Sequence, residues 1–203
     1  MKFLLLILGL LYTTIAPAKT ITVDPMRTLY IKGVVDGEIL KQAQTLEEMS
    51  RTKKPIYIII NSPGGSVYPG LQFLTAMQIA KYRGVTLNCI VPVMAASMGF
   101  QILVNCTNRY AFANSLLLWH PMKIQMRGGI SGDRLLYESK EMTALEKPLL
   151  KQILRELRIS ARTFAYHYRH ETLWTGRRLK KLSPGFLEVI HDVQGAEGLF
   201  KLK

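Results

Sequence analysis

The chain reads as a layered α/β domain, and three observations predict it. Short apolar runs bounded by turn residues recur along the chain, and each is the length of a strand rather than a membrane span. Between them lie segments whose apolar residues repeat at helical spacing. The two kinds alternate three times before residue 108, which favours a sheet built through right-handed crossovers over a meander of hairpins.

In order, residues 28–34 (TLYIKGV) read as a strand closed by Gly33 and the Asp36-Gly37 turn signal. Ile39, Leu40, Ala43, Leu46 and Met49 then repeat as one helical face. Pro55 ends that helix, and residues 56–60 (IYIII) form a strand apolar on both sides, which predicts a parallel sheet with helices on each face. Asn61-Ser62-Pro63-Gly64-Gly65-Ser66 reads as a turn. A helix over 67–82 carries Leu71, Leu74 and Met77 and stops at Gly84. Residues 85–91 form the next strand, followed by a serine turn at 94–99 (MAASMG) and a short helix to Val104. Two short strands, 109–113 and 116–119, flank Asn114-Ser115. Gly128-Gly129 marks a joint before a long helical segment over 133–157, which Pro148 should kink or split. A further helix covers 162–170. The tail from 183 to 203 has turn signals at Pro184-Gly185 and Gly195 and no assigned purpose.

At 203 residues the chain is most simply one domain over 19–203 behind a leader. The leader, residues 1–18, has the parts of a secretory signal peptide: Met1-Lys2, an apolar run over 3–12, and Ala16-Pro17-Ala18 before Lys19. Its apolar run is shorter than the ~20 residues a membrane span needs. The expectation is a periplasmic or secreted protein, membrane-anchored if the leader is retained. The formal charge is +13, densest over 147–181, where ten Lys and Arg oppose Glu156 and Glu171. Such a face favours anionic partners, an envelope surface among them, with Arg155, Arg158, Arg162 and Arg169 as candidate contacts. No nucleic-acid recognition motif accompanies it, so nucleic acid is not expected. Cys89 and Cys106 bracket the serine turn and its helix; they either pair as a disulfide or stay as buried thiols. Neither has metal-site spacing, His167 and His170 lack partner ligands and read as surface residues, and no metal or cofactor is expected.

The chemistry-bearing residues follow predicted strands. Sites in α/β sheets form at the carboxyl ends of strands, and Gly64-Gly65, Ser97 and His120 all lie there. Ser97, between small residues and a helix start, is either an ordinary N-cap or a nucleophile beside unpaired backbone amides. The amides of Gly64-Gly65 and Met98 suit an oxyanion, and His120 suits a general base. Spacing alone selects no third member among the acids that follow His120.

The motifs Ile60-Asn61-Ser62-Pro63-Gly64-Gly65 and Met94-Ala95-Ala96-Ser97-Met98-Gly99 resemble those of the ClpP family, the proteolytic subunit of the caseinolytic Clp protease. Asn114-Ser115, His120-Pro121 and Gly128-Gly129 follow in the family's order, so that the similarity runs over roughly residues 28–175. The resemblance implies a ClpP/crotonase-like layered fold of repeated ββα/βα units with a protruding handle helix, here about 124–158. It implies a serine endopeptidase working through an acyl-enzyme, with Ser97 as nucleophile, His120 as general base, and Gly65 and Met98 as oxyanion donors. The family's third member is an aspartate, and the matching position carries Glu171 within His170-Glu171-Thr172-Leu173-Trp174-Thr175-Gly176; Asp192 is the other candidate. Peptides or unfolded proteins are the implied substrates, and a homo-oligomeric ring, heptameric in the family, is the implied assembly. An exported chain would meet no ATP-driven unfoldase and would act on short or already unfolded peptides. Two further readings are a membrane-associated protease resembling signal-peptide peptidase A, with a Ser-Lys dyad to which Lys123 is the nearest lysine, and a catalytically silent assembly protein. A crotonase-like acyl-CoA enzyme ranks last.

Overall fold

The computed structural model describes residues 19–123 and 131–196. Strand β1 (Thr20–Thr22) and a 3-10 turn at Pro25–Arg27 precede β2 (Thr28–Val35), α1 (Ile39–Met49), β3 (Ile56–Gly65) and α2 (Val67–Tyr82). Then come β4 (Leu87–Val91), β5 (Met94–Ala96), α3 (Met98–Val104), β6 (Asn108–Phe112) and β7 (Leu116–Leu118). The remainder is α4 (Gly132–Leu157), α5 (Ala161–Arg169), β8 (Trp174–Thr175), α6 (Gly176–Leu182), β9 (Glu188–Ile190) and β10 (Asp192–Gln194). This is the mixed α/β architecture expected, a curled sheet with flanking helices.

Strand β3 organises the sheet. Its residues 56–59 pair in parallel with β4, and further along Ser62 pairs with Ala95 of β5, while β2 follows it along most of its length. Strands β6 and β9 extend the β4 side, and β7 and β8 extend the β5 side. The stretch read as a turn at 61–66 is therefore strand as far as Gly65. Its Pro and Gly residues sit at a register shift, where β2 advances from Lys32 to Val34 while β3 advances from Asn61 to Gly64. A bulge of that kind absorbs a proline, which has no N–H to give to the ladder.

Alternate residues of β3 enter different cores. Ile56, Ile58 and Ile60 join the main cluster, which includes Leu46 of α1, Phe73 and Met77 of α2 and Phe100 of α3. Ile59 faces a second cluster with Ile90, Ile190 and Val23, edged by Ile21 and Val193. That second cluster draws no residue from a helix among the described residues. The β1–β10 ribbon covers this face, where the fully apolar strand had predicted helices on both sides. Helix α3 is buried at all seven positions, which is why its sequence shows no amphipathic period.

Helix α4 runs unbroken past Pro148, so the expected split does not occur. Its C-terminal half buries Leu149, Ile153 and Leu157, and its N-terminal turns leave Leu135, Leu136 and Tyr137 exposed. Packing of the downstream half supplies the stability that a proline in an isolated helix would forfeit. Cys89 and Cys106 form a disulfide that ties β4 to the end of α3. The localisation expected from the leader needs correction: among the described residues no helix is long and apolar enough to cross a membrane. Residues 1–18 themselves lie outside the described residues, as do Gly128-Gly129 and Glu197.

Candidate active site

Three neighbouring strands deliver the site residues to one edge. Strands β5 and β7 run parallel with Ala96 opposite Leu118, and the Ser97 N–H then donates to the Leu118 carbonyl at 2.8 Å. Ser97 and His120 thus leave the carboxyl ends of adjacent strands. Strand β3, on the other side of β5, brings Gly64 and Gly65 to the same edge.

The backbone at Ser97 has φ 52° and ψ −120°, a conformation that an L-residue adopts at a cost of about 1–3 kcal/mol. Its side chain makes no capping bond to the helix that follows, so the N-cap role does not describe it. Strain of this kind is retained where the surrounding structure enforces it, and here the enforcement is close packing. A Cβ on Gly64 (φ 97°) would lie 2.5 Å from Ser97 Cβ and 3.0 Å from Met98 N, so the glycine strip and the Met98 amide adjoin. On the far side, a Cβ on Gly99 would lie 3.1 Å from the Ser62 carbonyl, and one on Gly70 of α2 would overlap the Met98 side chain.

Ser97, His120, Gly65 and Lys123 line one cleft of about 770 Å³. Val67, Met122, Met142 and Leu145 make its walls apolar, and Glu138 and Glu141 of α4 add carboxylates. Glu138 is paired with Arg134, and Glu141 accepts the Tyr137 hydroxyl. Among the described residues no hydrogen bond joins Ser97 to His120, or His120 to an acid. Instead His120 Nδ1 lies 2.7 Å from the Pro121 carbonyl oxygen.

Glu171 reaches the same edge because β8 pairs antiparallel with β7, setting Trp174 opposite Leu117. It sits just past α5 at φ 44°. Both its carboxylate oxygens are engaged by the Lys123 ammonium, at 3.1 and 3.2 Å. Asp192 lies in β10, against β1, where its carboxylate accepts the Val193 N–H. Met98 provides a backbone amide only, its side chain being buried against α2.

The family model for Clp protease matches residues 26–177. The chain belongs to the Clp protease family. Among relatives, it is 36% identical over 128 residues to ATP-dependent Clp protease proteolytic subunit 3 of Streptomyces avermitilis, an alignment covering 59% of this chain and 57% of that one. It is 31% identical over 140 residues to proteolytic subunit 1 of Streptomyces coelicolor, covering 64% and 63%. Against the proteolytic subunit of Spinacia oleracea it is 33% identical over 130 residues, covering 62% and 64%. The chain thus spans about three fifths of the length of these relatives.

Two features escaped the sequence. Glu138, Met142 and Leu145 lie on one side of α4 facing the cleft, and their i, i+4, i+7 spacing could have marked them as a single face. Glu146 accepts the Met122 N–H at 2.8 Å and the Tyr168 hydroxyl at 2.6 Å, joining α4, α5 and the segment that bears His120. Burial first, and then this carboxylate, pushes the Tyr168 hydroxyl well above its ordinary range.

Proposed function

We propose that this ClpP-like chain is a serine endopeptidase that cleaves short or unfolded peptides. Ser97 Oγ attacks the peptide carbonyl carbon while His120 Nε2 takes the hydroxyl proton. The C–N bond then breaks, and His120 returns that proton to the leaving amine. Water hydrolyses the resulting acyl-enzyme by the reverse proton path. The amides of Gly65 and Met98 receive the oxyanion, and the apolar cleft wall takes a substrate side chain. The observation that carries this reading is the strained, uncapped Ser97 in a cleft it shares with His120. Packed glycines hold a serine in a costly conformation whose side chain caps no helix and makes no hydrogen bond among the described residues. A homo-oligomeric ring, with the exposed start of α4 as a contact between copies, belongs to the same proposal.

The test is labelling of the purified protein with a fluorophosphonate, beside Ser97→Ala and His120→Ala. Wild type should label, and each variant should lose the signal while keeping its circular dichroism spectrum. Labelling that survives Ser97→Ala, or a folded wild type that never labels, would overturn the assignment and leave the assembly protein as the better reading.

A further inference from the structure

In a serine–histidine–acid triad, the acid fixes the imidazole tautomer and orientation and stabilises the imidazolium. Here no carboxylate touches His120 among the described residues. A carbonyl oxygen can only accept, so the 2.7 Å contact with Pro121 O places the proton on Nδ1 and leaves Nε2 as the basic nitrogen of the neutral ring. The peptide that supplies this carbonyl also carries the Met122 N–H, which donates to Glu146 Oε1 at 2.8 Å. One peptide plane therefore connects a carboxylate to the imidazole: Glu146 Oε1, Met122 N–H, Pro121 C=O, His120 Nδ1–H. A negative charge at the N–H end of an amide polarises the group and makes its oxygen a stronger acceptor.

We propose that Glu146 is the positioning acid of this site, acting on His120 through the Pro121–Met122 peptide, and that Glu171 instead serves Lys123. The proposal rests on the reading of His120 as the base and deepens it. Glu146 suits the role because it is anchored. The same Oε1 accepts the Tyr168 hydroxyl, and Leu149, three residues on, is buried in the main core. Glu171 does not suit it, since both its oxygens are taken up by Lys123. Among the described residues, the other ionisable groups around the His120 segment are Lys123, Tyr68 of α2, Glu138 and Glu141 across the cleft on α4, and Tyr168 on α5. Glu138 is held by Arg134 and Glu141 by Tyr137, so neither reaches the peptide plane.

The test compares Glu146→Gln, Glu146→Leu and Glu171→Gln in the full-length protein. Gln at 146 keeps an acceptor for Met122 and Tyr168 but removes the charge; Leu removes both. Fluorophosphonate labelling should slow about tenfold in Glu146→Gln and about a hundredfold in Glu146→Leu. Glu171→Gln should change it less than about threefold. A purely structural role would slow labelling without changing which ring nitrogen of His120 carries the proton. An orienting role also fixes that tautomer, so Glu146→Gln should lower the share of rings protonated on Nδ1 and Glu171→Gln should leave it unchanged. Imidazole ¹⁵N spectra, with the His120 signals assigned by substitution, read the same relation without any activity. The neutral ring should carry its proton on Nδ1 in wild type and in Glu171→Gln, and that share should fall further in Glu146→Leu. If wild type fails to label, the peptidase reading falls while these spectra still decide whether Glu146 controls the ring. A tautomer that follows Glu171 and ignores Glu146, or a neutral ring protonated on Nε2, would overturn the proposal.

Discussion

Gly64 offers the sharpest test of how the serine turn is held. In Gly64→Ala the added Cβ would stand 2.5 Å from Ser97 Cβ and 2.7 Å from the Ala96 carbonyl oxygen. Neither neighbour is the free end of a flexible side chain, so relief requires the turn to move by roughly 1 Å to reach ordinary carbon contact. Overpacking of this kind costs about 1–3 kcal/mol. Alanine at φ 97° adds about 1–3 kcal/mol of backbone strain. Together they give a loss of about 4 kcal/mol, a large part of the ~5–15 kcal/mol that holds a domain folded. Urea unfolding of the variant measures it, with Gly37→Ala as control, because a Cβ at Gly37 meets nothing within 4 Å. The control should stay within about 1 kcal/mol of wild type. If Gly64→Ala loses less than about 1 kcal/mol and labels at the wild-type rate, the claim that close packing imposes the Ser97 conformation is wrong.

Three other outcomes follow from packing and charge. Replacing Cys89 and Cys106 by Ala should lower stability by about 3 kcal/mol, the chain-entropy value for a loop closed over a sequence separation of 17; denaturant unfolding with and without reductant checks it. Arg109 is nearly buried, donates to the Leu103 and Val104 carbonyls and pairs with Glu156 at 2.6 Å, so Glu156→Ala strands a guanidinium and should cost about 3 kcal/mol, read as a fall in urea midpoint. Burial, then the nearby charges of Arg178 and His170, holds the His167 imidazole below its ordinary 6.5. The unfolded chain then binds the proton more readily, so this contribution to stability is complete above about pH 6.5 and is lost as pH falls through the lower folded value. Melting temperature should drop on acidification through that window, and less steeply in His167→Gln.

Much of the fold was legible because it follows from period and punctuation. Helices α1 and α2 appear where apolar spacing and terminal glycine or proline put them, and the strands at 87–91, 108–112 and 116–118 lie within a residue or two of their apolar runs. The misreadings share one cause, which is that local chemistry was overruled by a partner far away in sequence. Pro63 and the glycines signal a turn, yet pairing of β2 and β5 with β3 holds them in a bulged strand. Pro148 signals a break, yet burial of Leu149, Ile153 and Leu157 carries the helix through it. Strands β9 and β10 were unassigned because each is short and makes sense only against β6 or β1.

Within the candidate site, the placement of residues was legible where it depends on position along the chain. A serine at a strand–helix junction, a glycine pair and a histidine after a strand each carry a local mark, and adjacent parallel strands bring them together. The orienting acid carries no such mark. Glu146 stands 24 residues from Met122, on a helix with acids at 133, 138, 141 and 156, and only the fold distinguishes it from those. Its connection to His120, on the proposal above, runs through a peptide group, and any amino acid but proline at position 122 would supply the same N–H. A role delivered by backbone constrains geometry far more than it constrains residue identity. That is also why Glu171 could sit at the position the family gives its acid and yet bind a lysine. Glu171 has a left-handed backbone and its carboxylate pairs with Lys123, while on the proposal above the imidazole is held through the adjoining Pro121–Met122 peptide.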